Sequence, residues 1–181
     1  MAITKWTLDP MHSELGFKIK HLMITNVSGF IKNFHVEVET EGTDFSKARV
    51  KVTADMSSIS TNNEQRDAHL RNADFFEVEK YPELTFVSDK VEKTDDDTFM
   101  VHGNLTLKGI TKPLSLLVEY GGISKDHYGN EKAGFTVTGK IKRSEWGISF
   151  NSVLETGGVA LGEEVKLNSE IQLKQAVAVP A

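Results

Sequence analysis

A chain of 181 residues is long enough to bury one substantial core, and its net charge of −5 argues against general nucleic-acid binding and against docking on an anionic membrane surface. It holds no cysteine, so neither a disulfide nor a thiolate nucleophile can contribute. No run approaches the roughly 18 apolar residues of a membrane helix, and the opening MAITKWTLDPMHSE lacks the basic and long apolar regions of a signal peptide. The expectation is a cytoplasmic protein as the chain stands, periplasmic or extracellular if a leader has been removed.

In chain order, Leu15, Phe17, Ile19 and His21 alternate with Glu14, Gly16, Lys18 and Lys20, which predicts a strand with one dry face. Val27-Ser28-Gly29 reads as a turn. Strands follow over Phe34/Val36/Val38 and Val50/Val52/Ala54/Met56, with a turn at 41–44 between them. The stretch from Thr61 to Ser88 breaks this rhythm. Thr61-x-x-Glu64 and Asn62-x-x-Gln65 read as capping boxes ahead of a short helix near 63–71, Asp74 as the start of a further turn, and Tyr81-Pro82 as a return to extended chain. Alternation resumes at Phe99/Val101/Gly103/Leu105/Leu107, Leu114/Leu116/Val118/Tyr120, Phe135/Val137/Gly139/Ile141 and Val165/Leu167/Ser169/Ile171/Leu173. Turn residues at 94–97, 108–109, 128–130 and 157–158 separate these runs. No repeat or linker divides the chain, so residues 1–175 form one domain and 176–181 a frayed tail.

One-sided antiparallel strands must bury their apolar faces in a sandwich or by closing on themselves. Glycines at inward positions such as Gly103 and Gly139 ask for room or a bend. An all-β barrel of about eight strands with a lid helix is the reading, just wide enough for one elongated ligand. The competing expectation is a core filled by its own side chains.

The distinctive groups, in order, are W-x-x-D-P-x-H-S (Trp6 to Ser13), F-x-x-x-H (Phe17, His21), V-S-G-F (Val27 to Phe30), R-D-x-H-L-R-x-x-D-F-F (Arg66 to Phe76), Y-P-x-x-x-F-x-S (Tyr81 to Ser88), G-x-L-T-x-x-G-x-T-K-P (Gly103 to Pro113) and R-S-x-W-G (Arg143 to Gly147). Together they resemble the YceI-like family of lipid- or polyisoprenoid-binding proteins over residues 6–173. The resemblance implies a lipocalin-like extended antiparallel β-barrel, often dimeric, whose tunnel holds an isoprenoid chain, an isoprenoid quinone or a fatty-acid-like amide. It implies no chemistry and no cofactor beyond such a bound lipid. Stable membrane insertion is not expected, since abundant surface Lys and Glu and sparse Trp and Tyr leave no girdle for a membrane-spanning barrel.

Motif position and alternation nominate a lining of Phe17, Ile19, Phe30, Phe34, Phe75, Phe86, Leu105, Phe135, Trp146 and Phe150. Candidate head-group contacts are Arg66 and His69 on the lid, with His12, Ser13 and His21 near the first strand. Each has a plainer alternative. Arg66, Asp67 and Arg143 suit an ion-pair network tying lid to barrel as well as they suit a ligand. A zinc site from His12, His21 and His69 lacks the local spacing of such sites. Ser13 and Ser144 lie outside any G-x-S-x-G elbow. An enzyme using the same pocket, with His69, His12 or Arg66 acting on an amphiphile, is the alternative function.

Overall fold

The computed structural model describes residues 3–151 and 160–176. Among these residues run β1 (Ile3–Leu8), β2 (Glu14–His21), β3 (Thr25–Ile31), β4 (Phe34–Glu41), β5 (Asp44–Asp55), β6 (Ile59–Ser60), α1 (Glu64–Arg71), β7 (Glu83–Asp95), β8 (Thr98–Leu107), β9 (Ile110–Lys125), β10 (Glu131–Lys142) and β11 (Leu161–Gln175). All pairings are antiparallel. Eight strands in the order β1-β4-β5-β7-β8-β9-β10-β11 form a closed barrel, because β1 pairs with β11 through Leu8 and Leu173. The sheet also continues past β11 as β2, β3 and β6, which extend the wall at one end.

That extension depends on a corner between β1 and β2. Asp9 accepts a hydrogen bond from the Met11 amide, Pro10 opens a single 3₁₀ turn, and the Ser13 hydroxyl accepts from the Gln172 amide at 2.9 Å. Ser13 also donates to the Gln172 carbonyl, standing in for the strand pairing that the chain leaves as it turns. Lys132 of β10 and His12 both bond Asp9, so the corner is pinned from two sides. The motif around residues 9–13 is thereby explained as architecture.

The barrel end beside this corner is filled. Trp6, 1% exposed, donates to Thr40 Oγ1 at 2.9 Å, and its ring packs on Phe45, which also meets Tyr120 and Phe135 with centroids 5.1–5.4 Å apart. Offset and edge-on rings of this kind seal a core well. The other half is not filled, and two glycines help to explain why. A Cβ on Gly29 would lie 2.3 Å from the Phe17 ring, and one on Gly103 would lie 2.7 Å from the Phe86 ring. Each phenyl therefore folds flat over a glycine of the neighbouring strand. The rings cover the wall without meeting across the lumen.

Gly29 also corrects one expectation. Val27-Ser28-Gly29 lies inside β3, paired with β2 from Ile19 to Phe17, and is not a turn. The glycine serves the Phe17 ring. Ala176, expected in the frayed tail, still donates to the Lys5 carbonyl, while 177–181 and the turn at 157–158 lie outside the described residues.

Candidate ligand-binding cavity

The unfilled half encloses a cavity of about 380 Å³ beneath α1, and a second of about 140 Å³ lies between it and the aromatic seal. Leu15, Val52, Phe86, Leu116, Val137 and Ser169 line both, so the chambers adjoin at a neck of four aliphatic side chains, one phenyl ring and one serine. The walls come from inward positions of the alternating strands, the pattern that one dry face produces. The larger volume falls within the roughly 300–1,000 Å³ of ordinary ligand sites.

Helix α1 closes the larger chamber. Its cap is Asn63, whose side chain accepts from the Arg66 amide at 3.1 Å; neither Thr61 nor Asn62 fills that role as the capping boxes suggested. Thr61 is instead the anchor of the lid. Its amide and hydroxyl donate to Asp67 at 2.8 and 2.6 Å, while Arg66 donates to its hydroxyl and carbonyl, both at 2.7 Å. Asp67 is buried, and these bonds satisfy it. His69 bonds Asp74 at 2.9 Å and lays its ring edge-on against Phe75 and Phe150, joining the lid to the wall.

Arg143 sits opposite, 3% exposed, donating to the carbonyls of Gly162, Ile148 and Phe150 at 2.9 Å each. Burial pushes its guanidinium pKa down, with the charge of Glu163 acting in the other direction. The expected ion-pair network is thus replaced by hydrogen bonds to backbone and to Thr61. Among the described residues, neither Arg66 nor Arg143 forms an ion pair. Trp146 of the same motif is 1% exposed and donates to the Leu105 carbonyl, and Gly147 takes the left-handed conformation that ends the turn.

Of the nominated residues, Phe17, Ile19, His21, Arg66, His69, Phe75, Leu105 and Phe150 line the larger chamber, Phe34 and Phe135 the smaller, and Phe86 both. Four do not reach either. His12 is 63% exposed on the outer corner, bonded to Asp9. Ser13 spends its hydroxyl on Gln172. Phe30 faces outward from β3, opposite Gly16, because the register that turns Phe17 inward turns residue 30 out. Trp146 is buried in the same core cluster as Phe86 and Leu105 but lines neither chamber. Among the lining residues missed were the neck aliphatics Leu15, Val52, Leu116 and Val137, together with Arg143. The first four occupy inward positions of recognised alternating runs, so period two alone could have found them. No three His, Cys, Asp or Glu side chains converge among the described residues.

A family model described as the YceI-like domain matches residues 6–173. A UPF0312 protein of Staphylococcus aureus strain USA300 is 43% identical over 171 residues, covering 94% of this chain and 97% of that relative. Among solved structures, the Campylobacter jejuni YCEI protein superposes with a TM-score of 0.75 at 36% identity, over 93% of this chain and 96% of that one. A polyisoprenoid binding domain from Saccharophagus degradans superposes with a TM-score of 0.71 at 14% identity, over 94% and 98% of the two chains, a likeness of fold.

Proposed function

The chain belongs to the YceI-like domain family, and from that premise we propose that it binds a long apolar chain, a polyisoprenoid, isoprenoid quinone or fatty-acid-like amide, for storage or transport without chemistry. The observation that carries this reading is the mostly apolar cavity of about 380 Å³, roofed by α1 and adjoining a second of about 140 Å³. Each buried CH₂ contributes about 0.8 kcal/mol, so several together offset the entropy lost on association. The few polar groups on the larger chamber, Arg66, His69 and His21 among them, suit a head group held at one end. That a fold neighbour is described as a polyisoprenoid binding domain supports the same class of ligand. A dimer, implied by the family resemblance, belongs to this proposal, and light scattering tests it.

Native mass spectrometry after gentle purification tests the cavity directly. The expected result is a bound lipid recovered chemically unchanged, including from His69→Ala. Protein that purifies empty and rejects long-chain lipids in titration defeats the reading. Turnover of an amphiphile abolished by His69→Ala points instead to an enzyme.

A further inference from the structure

The sharpest surface anomaly is the tip joining β2 to β3. Leu22, Met23 and Ile24 follow one another there and are 39%, 52% and 76% exposed. The turn is closed by the Ile24 amide on the His21 carbonyl at 3.2 Å, and Leu22 and Met23 hold φ of 53° and 60°. Gly, Asn or Asp occupies such left-handed positions with least strain, yet this chain places two large apolar side chains there and presents them to solvent. The tip is also continuous with the cavity. His21 and Ala160 line the larger chamber, and the Leu22 amide donates to the Ala160 carbonyl at 2.7 Å.

The outer face behind this tip is basic despite the net charge of −5. Lys18 of β2 lies opposite Lys166 of β11, which lies opposite Lys140 of β10, a row of three exposed lysines across adjacent strands. Like charges set directly opposite destabilise a sheet, so folding alone does not favour this arrangement. Lys20 stands two residues nearer the tip. Lysine ion pairs among the described residues use Lys47, Lys90, Lys125 and Lys132, and none of this row. The nearest acidic groups on β11 are Glu163, which accepts from the Ser144 amide, and Glu164, which faces Lys142. Phe30, 40% exposed, shares the outward face of β3 with the partners of Lys18 and Lys20.

We propose that this tip and lysine row form a docking surface for an anionic lipid bilayer, the apolar tip entering the interface and the lysines facing its headgroups. An apolar wedge with a basic flank is the arrangement that such surfaces bind. At this patch the local field outweighs the net charge of the chain, because screening confines each charge's reach to about 10 Å or less in physiological salt. A second copy of the chain fits less well: a two-fold interface centred on this patch would bring the lysine row near its own image. Its role in loading and emptying the cavity rests on the lipid-binding reading; the docking itself does not.

Flotation with vesicles of phosphatidylcholine, alone and mixed with phosphatidylglycerol, tests it on the whole chain. Binding to the mixed vesicles alone, weakening as salt rises, is the expected result. Met23→Ser with Ile24→Ser should weaken it about tenfold or more. Lys18→Gln and Lys166→Gln should each weaken it about fivefold, with circular dichroism and melting temperature unchanged. No flotation at low salt, flotation indifferent to all four substitutions, or a dimer in light scattering that the tip substitutions dissociate, each overturns the proposal. Cavity contents are read separately by mass spectrometry. A filled cavity without flotation removes docking alone, and flotation with a cavity that rejects lipids removes the carrier alone.

Discussion

At the scale of single residues, the hollow depends on where two phenyl rings lie. Phe86 forms part of the neck and rests on Gly103, while Phe17 rests on Gly29. Adding volume at the neck should therefore shorten the chain that fits, because packed walls resist extra atoms. Phe86→Trp is expected to shift copurifying lipids towards shorter chains in native mass spectrometry; an unmoved distribution means the ligand does not pass this ring. Gly29→Ala is the complementary test: the three atoms nearest the new Cβ all belong to the Phe17 ring, which must shift, and the lipid distribution in native mass spectrometry should change if that ring lines the bound chain. Arg143 is the opposite kind of residue, a cation whose work is holding three backbone carbonyls. Arg143→Met should lose about 3 kcal/mol or more in urea unfolding, since three buried carbonyls left without partners cost about 1–3 kcal/mol each. A loss below about 0.5 kcal/mol would show that the carbonyls find other donors.

At the scale of elements, the β1–β2 corner should govern part of the acid stability. The hydrogen bond from Lys132 lowers the Asp9 pKa below its ordinary 3.8, burial opposes it, and His12 lowers it further. A carboxyl whose folded pKa is depressed contributes stability that is present above pH 3.8 and is lost as pH falls through the lower folded value. Asp9→Asn should flatten the acid limb of a melting-temperature profile below about pH 4 while lowering the plateau at neutral pH. A parallel downward displacement of the whole profile would show that Asp9 acts only as a turn cap. The elements themselves were unequally legible. Strands such as β2, β8 and β10 announce themselves by unbroken alternation, whereas β3 carries Ser28 and Gly29, residues that signal a turn unless a ring on the next strand claims the space. Strand β7 becomes polar over its second half and shifts register at Ser88, so its period is blurred. Trp146 is buried, but on a 3₁₀ turn outside the strands, where period two cannot say whether it reaches the lumen. Phe30 was misplaced for a related reason. Aromatic character suggests burial, but strand register decides which face a side chain takes.

At the scale of the whole molecule, seal, barrel and lid divide the labour. One end spends its aromatic residues on a closed core, and the other leaves its centre unfilled. An unfilled apolar cavity forfeits contacts that a ligand restores, so stability and occupancy should be linked. A chain held at free concentrations about a hundredfold above its dissociation constant adds about 2.7 kcal/mol to the folded state. In a domain of this size, that corresponds to about 5–10 °C in melting temperature. Calorimetry on protein as purified and after lipid extraction should therefore separate by about this amount, and adding back the recovered lipid should restore the higher value. Identical melting before and after extraction, with the lipid shown to have left, would mean that the hollow is tolerated empty and that its walls are not completed by what they bind.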